Sequence, residues 1–240
     1  MVRKNWHAYA GGFGGGLTGI ICSYPLDSMK TRLQSKIPIK FSIPALYRGV
    51  SYPLWGIAIE KVFVFGMYDT IKNKKYFENK NMNILVSGLS TGLLSTTIVT
   101  PIERVKILKQ NNRNVSELMN KGMKNLYHGW SATLLREFPG YGVYFYTYDT
   151  LRPKLKESYF NSYLCGSLSG ISAWICIYPP DSIKTVMQDR GLSMKESTKH
   201  IYNMGGIKGF YRGYTFGLLR AAVLHGGVFA GNDFILKMLQ

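Results

Sequence analysis

The sequence predicts an all-α membrane protein of six spans arranged as three tandem repeats. Two observations carry the prediction. Three long runs hold no charged residue, Ala8–Leu26, Asn81–Ile102 and Ser158–Pro180, each long enough to cross a bilayer core of about 30 Å as a helix. At the end of each run, one short motif recurs, its first two residues closing the run: Pro25-Leu-Asp27-Ser-Met-Lys30, Pro101-Ile-Glu103-Arg-Val-Lys106 and Pro179-Pro-Asp181-Ser-Ile-Lys184.

The other three spans are stretches of similar length with charge near the middle. They are Gly49–Tyr68, interrupted by Glu60-Lys61, Gly129–Tyr148, interrupted by Arg136-Glu137, and Gly213–Asn232, interrupted by Arg220. Clean and charged spans therefore alternate along the chain. A mean hydropathy of −0.05 is low for six spans and is the best argument for a soluble helical protein; polar connections and a water-lined interior would lower it equally well, and the long uncharged runs favour the membrane. The first apolar run is Gly-rich and leads straight into Pro25 and Asp27, so it does not read as a secretory signal.

The repeats extend beyond the proline motif. A glutamine stands nine residues after each proline (Gln34, Gln110, Gln188). Tyr47-Arg48-Gly49 returns as Tyr127-His128-Gly129 and Tyr211-Arg212-Gly213, and Tyr68-Asp69-Thr-Ile-Lys72 returns as Tyr148-Asp149-Thr-Leu-Arg152. So many elements in register divide the chain into units at 1–80, 81–157 and 158–240, forming one integral domain. Each proline should kink its helix where the charge-free run ends. The acid and base that follow lie three residues apart on one helix face, so the acid of one unit can meet the base of the next and close a ring. The spacings Gly11-x3-Gly15-x3-Gly19, Gly88-x3-Gly92 and Gly166-x3-Gly170 allow close helix contact in lipid.

Lys+Arg 30 against Asp+Glu 13 gives +17, a balance that suits an anionic membrane or nucleic acid. A soluble nucleic-acid-binding protein is a remote alternative: the Tyr-Arg-Gly triplets could stack on bases, yet they open the second spans at equivalent positions and no nucleic-acid motif is present. Hydrophobic residues at 46% exclude a disordered chain. Three scattered cysteines, Cys22, Cys165 and Cys176, make neither a disulfide framework nor a zinc site. His7, His128, His200 and His225 stand singly, with no nucleophile or metal partner at a telling spacing, and His225 is read as lining the cavity or packed. No enzyme, cofactor or metal is expected.

With these motifs in place, the chain closely resembles the mitochondrial carrier family, whose signature P-x-[DE]-x-x-[KR] appears here in all three copies. The resemblance covers essentially the whole chain. It implies six helices with pseudo-threefold symmetry around a central cavity, short matrix-side amphipathic helices, and alternating access. It also implies residence in the mitochondrial inner membrane, a host's if the Lys-, Asn-, Ile- and Tyr-rich composition comes from an AT-rich parasite or virus. The implied partners are a small-molecule substrate and counter-substrate and membrane lipids, cardiolipin among them, with a monomer as the functional unit.

Carried over residue by residue, the resemblance implies a matrix gate of Asp27–Lys106, Glu103–Lys184 and Asp181–Lys30, braced by Gln34, Gln110 and Gln188. From [FY]-[DE]-x-x-[KR], it implies a cytoplasmic gate of Asp69, Lys72, Asp149, Arg152 and Asp233. The third copy of that pattern departs: Asn232 replaces the aromatic, Leu236 takes the basic position and Lys237 lies one later.

The repeats also locate a binding level without the family. Seven residues on from Gly49, Gly129 and Gly213 stand Gly56, Arg136 and Arg220, eight on stand Ile57, Glu137 and Ala221, and eleven on stand Glu60, Gly140 and Leu224. The units differ most in polarity here, about midway along the second span, and ionisable groups at that depth point to function. Symmetric residues support the fold, and asymmetric ones should read an asymmetric solute. The expected site is Gly56, Glu60, Lys61, Arg136, Glu137, Tyr141 and Arg220, with the arginines clamping a carboxylate, an acid holding a cation and Tyr141 stacking or bonding.

The plain alternative is that Glu137 and Glu60 merely neutralise Arg136 and Lys61. Arg136-Glu137-Phe-Pro139-Gly-Tyr141 resembles the amino-acid and carnitine branch, as does Leu-Leu-Arg220-Ala-Ala. The Arg-Arg-Arg-Met-Met-Met run of adenine nucleotide exchangers is absent, with Thr185-Val186-Met187-Gln188 in its place. The favoured substrate is therefore amino-acid-like, cationic or zwitterionic. The alternative is nucleotide or deoxynucleotide exchange, using Lys61, Arg136 and Arg220 on phosphates.

Overall fold

The computed structural model describes residues 6–34, 42–47, 50–110 and 122–239. Among them are six long helices and no strand. Helix α1 (Trp6–Gln34), α4 (Lys80–Gln110) and α6 (Tyr159–Arg190) contain the charge-free runs; α3 (Ser51–Asn73), α5 (Trp130–Leu151) and α8 (Tyr214–Met238) contain the charged ones. The first set runs well past the prolines: Pro25, Pro101 and Pro179 all lie inside their helices. The acid and base of each motif therefore sit on the last helical turns, at what is called here the proline end.

Between the two spans of a unit lie shorter elements. Unit one has a single turn, α2 (Ile43–Leu46), unit two a 3-10 turn at Met123–Tyr127, and unit three α7 (Met194–Gly209), which breaks at Gly205 and Gly206 where the backbone leaves helical geometry. Among the described residues, only the third unit has a connecting helix longer than two turns. It opens with a reciprocal cap, Ser193 Oγ accepting from the Glu196 amide and the Glu196 carboxylate accepting from the Ser193 amide at 2.8 Å. The Ser193 hydroxyl, which also donates to that carboxylate at 2.7 Å, and then the Ser193 amide hold the Glu196 carboxyl below the usual carboxylate range.

The long helices pack in a closed ring, α1–α3–α4–α5–α6–α8, with α8 returning to α1. Two features of the sequence make this ring. The repeated glycine before the second span of units two and three supplies a left-handed residue at its N-cap, with φ of 90° at Gly129 and 81° at Gly213, a conformation that other residues adopt only with strain. The G-x3-G positions then let backbones touch. A Cβ at Gly88 would lie 2.7 Å from the Tyr141 carbonyl oxygen, one at Gly19 2.6 Å from that of Leu224, and one at Gly166 2.5 Å from that of His225.

Polarity is distributed inside out. Buried hydroxyls line the interior, with Ser87, Thr91, Thr96 and Thr100 on α4 each bonded to the carbonyl four residues back at 2.6–2.8 Å. Large apolar side chains face outward instead, among them Trp55, Phe63, Leu94, Leu135, Leu168 and Phe216. A surface so apolar around all six helices requires lipid. By length and mean hydropathy alone, one described helical segment qualifies as a span, Lys80–Val105 with a mean of 1.4. The others bury polar groups such as Lys61, Glu137, Ser167 and Asn232, which lowers the average.

Candidate functional site

At the proline end, Arg136 of α5 reaches between two neighbouring helices. Its Nη2 lies 2.9 Å from Glu103 Oε1 on α4 and its Nη1 3.0 Å from Asp181 Oδ1 on α6, and it also pairs with Glu137 beside it. Glu103 in turn pairs with Lys184 of α6, whose side chain is 3% exposed. One guanidinium thus meets three carboxylates. The planar fork of arginine can bond two acceptors in different directions at once, which an ammonium does less well.

Of the three ion pairs implied for the proline end, Glu103–Lys184 is therefore formed. Asp27–Lys106 and Asp181–Lys30 involve side chains of Asp27, Lys30 and Lys106 that lie outside the described residues, as do those of Gln34 and Gln110. Gln188 is fully buried, but its amide atoms have no partner among the described residues. It is its backbone carbonyl that is bonded, by the guanidinium of the buried Arg104.

The second cluster joins α3 to α5. Lys61 Nζ lies 3.2 Å from Glu60 Oε1 and 3.2 Å from Tyr141 Oη, while Tyr141 Oη donates to Glu60 Oε1 at 2.9 Å. Glu60 and Lys61 are adjacent on the helix, and Tyr141 is the point at which their side chains converge. Both charged pairs named in the plain alternative, Arg136–Glu137 and Lys61–Glu60, are thus present in this conformation. Gly56 is half-buried, and a Cβ there would meet nothing within 4 Å, so the wall is open at that point. Arg220 is half-buried on α8.

Two more residues join the site: Tyr144, which the sequence reading left out, and His225, which it read as lining the cavity or packed. His225 Nδ1 lies 3.1 Å from Tyr144 Oη, and both side chains are buried. A signal for His225 was present: Lys61, Tyr141 and His225 stand at one register position, twelve residues after the repeated glycines. Side chains so unlike in chemistry do not read as equivalents.

Beyond this level, toward the opposite end, aromatic rings close the centre. Phe65, Phe145 and Phe229 occupy equivalent positions of the three units, with Phe65 5.6 Å from Phe145 and 5.3 Å from Phe229. Tyr68 stacks on Phe145 at 3.6 Å and Tyr148 on Phe229 at 3.4 Å, each within 5° of parallel. Above the rings, Lys72 pairs with Asp149, which also accepts from Tyr68 Oη at 2.5 Å. Arg152 lies 3.5 Å from Asp233, which also accepts from Ser162. The third unit breaks the pattern: Asn232 stands where a tyrosine would stack, its Oδ1 buried without a partner among the described residues, and Leu236 is buried in the basic position. Lys237 lies over the Tyr159 ring at 4.8 Å, and Asp69 accepts from Asn73 at 2.9 Å.

Comparison with known proteins adds an independent line. The family described as mitochondrial carrier protein matches residues 77–159 and 155–240. The chain is 30% identical to a mitochondrial arginine transporter of Arabidopsis thaliana, over 96% of this chain and 90% of that protein. It is 30% identical to the mitochondrial carnitine carrier of Saccharomyces cerevisiae, over 97% and 87%. It is 27% identical to a mitochondrial basic amino acids transporter of Rattus norvegicus, over 97% and 89%.

Proposed function

Because the chain belongs to the mitochondrial carrier family, we propose that it exchanges small amino-acid-like solutes, cationic or zwitterionic, across the mitochondrial inner membrane by alternating access. The observation that carries this reading is a set of paired charges of both signs inside a closed helical ring, on successive turns of α5 and α3. Arg136 and Glu137 stand on α5, Glu60 and Lys61 on α3, and Tyr141 bridges to the second pair. A solute with carboxylate and ammonium groups matches such a site, whereas a polyphosphate would meet Glu60 and Glu137 as repulsion. The relatives named for arginine, basic amino acids and carnitine support the same class.

The substrate-binding residues in this reading are Gly56, Glu60, Lys61, Arg136, Glu137, Tyr141 and Arg220. Asp27, Lys30, Glu103, Lys106, Asp181, Lys184 and the three glutamines form the matrix gate, and Asp69, Lys72, Asp149, Arg152 and Asp233 the cytoplasmic gate. The three units 1–80, 81–157 and 158–240 act as one body, with no catalytic step. Buried ion pairs of this kind hold each mouth shut, and a solute opens a mouth only by the difference between its affinities for the two states. A site whose charges are already paired suits this requirement, because the solute exchanges one set of ion pairs for another instead of desolvating bare charges. The basic surface faces anionic headgroups, cardiolipin among them, and a single chain is the working unit.

Exchange by the purified protein in liposomes tests the reading. Labelled arginine or ornithine accumulates only against internal amino acid; exchange of ATP or dATP alone would overturn the substrate class and leave the fold intact.

A further inference from the structure

Resting on the amino-acid reading above, in which Glu60 holds the substrate's cation beside Tyr141, we propose that in this conformation the protein's own Lys61 fills that subsite, with Tyr144 as its second ring wall, and that displacement of Lys61 sets selectivity between cationic and neutral amino acids. The geometry is that of a cation site already filled. Lys61 Nζ lies 3.2 Å from a carboxylate oxygen and 3.2 Å from a phenol oxygen. It is also 5.2 Å from the centroid of the Tyr141 ring and 6.0 Å from that of Tyr144. A carboxylate with two aromatic faces is the recognition chemistry of an ammonium or guanidinium group. The ammonium is almost wholly excluded from water, Lys61 being 4% exposed.

The second wall of the subsite is fixed from α8. Tyr144 is 2% exposed and is held at its hydroxyl by His225 Nδ1 at 3.1 Å. His225 also stacks edge-on against the Tyr144 ring, with centroids 4.9 Å apart. The histidine thereby positions the ring without touching the solute, and all three units contribute to one pocket.

The consequence is competition. A substrate cation reaches Glu60 by displacing Lys61, whose flexible four-carbon stem lets it swing away. A neutral side chain leaves the internal pair in place. Lys61 therefore weakens binding of cationic substrates relative to neutral ones of equal length, and its removal should reveal the preference of the empty subsite.

The test compares arginine with citrulline, which has the same length and a neutral end group, in liposomes bearing the full chain. Lys61→Met lowers the KM for arginine relative to that for citrulline about tenfold, the worth of one charge-assisted contact. Adding Glu60→Gln removes the gain. Tyr144→Leu, which leaves the Lys61–Glu60 pair standing, raises the arginine KM about fivefold relative to citrulline by removing one ring face, and it provides the decision should Lys61→Met fail to insert. Equal shifts for both solutes in these variants would overturn the subsite while the amino-acid reading stands. A wild-type chain that exchanges neither amino acid but does exchange ATP would overturn that reading, and the subsite with it.

Discussion

Arg136 Nη2 stands 2.9 Å from Glu103 Oε1, so a residue at the expected binding level is bonded directly into the ion pairs of the proline end. Through Asp181 and Glu137 the same guanidinium also holds α6 and its own helix. Whatever engages Arg136 therefore acts on Glu103 and Asp181, the physical route by which solute binding would reach the gate proposed for the proline end.

Arg136→Lys should insert normally and exchange at least about tenfold more slowly, because an ammonium does not hold both acids in the directions the fork does. Arg136→Ala should lose exchange altogether and lower the melting temperature, since stripping one partner from a buried pair costs on the order of 3–5 kcal/mol. Initial rates in liposomes together with a thermal-shift series check both. Wild-type rates for the lysine variant would remove Arg136 from the coupling.

At the other mouth, Lys72 and Asp149 form one pair between α3 and α5. Lys72→Asp opposes two acids and should cut exchange severely. The double variant Lys72→Asp with Asp149→Lys should recover a measurable fraction of it, since the pairing is restored with reversed polarity. A double variant no better than the single one would show that the pair is not what closes this mouth.

Two glycines, one packed between helices and one facing open space, should behave in opposite ways. A methyl at Gly88 would stand 2.7 Å from a backbone oxygen of α5, which cannot retreat without moving the helix, whereas one at Gly56 meets nothing within 4 Å. Gly88→Ala should lower the melting temperature by several degrees, and Gly56→Ala, free of clash in a helix interior, should raise it slightly. Similar melting temperatures for the two variants would contradict the packing described between α4 and α5.

Asn232 buries an oxygen that has no partner among the described residues, a situation that costs roughly 1–3 kcal/mol. Asn232→Leu keeps a similar volume and should raise the melting temperature, while Asn232→Asp, which buries a charge in the same place, should lower it. A drop in the leucine variant would mean that the amide is bonded after all.

Much of this molecule was open to reading along the chain because its signals are one-dimensional. The thrice-repeated proline motif, the charge-free runs and the Tyr-x-Gly triplets mark the units and the six helices by spacing alone. The left-handed Gly129 and Gly213 give the last of these its reason. The neutralising partners of Arg136 and Lys61 were also within reach, because Glu137 and Glu60 are their chain neighbours. The reach of Arg136 to Glu103 and Asp181 was not. Glu103 and Asp181 are counted from the ends of descending helices and Arg136 from the start of an ascending one, so their common depth exists only once the helices are packed.

The same holds for the pocket walls. Lys61, Tyr141 and His225 share a register position, but nothing in their chemistry announces it, and Tyr144 falls three residues outside the level singled out by asymmetry. The amino-acid order determined the architecture here, since repetition and the exclusion of charge from lipid operate along the chain. Which charge meets which was decided by the tertiary structure, because an ion pair depends on the depth and facing of side chains from different helices, and close glycine contacts set both.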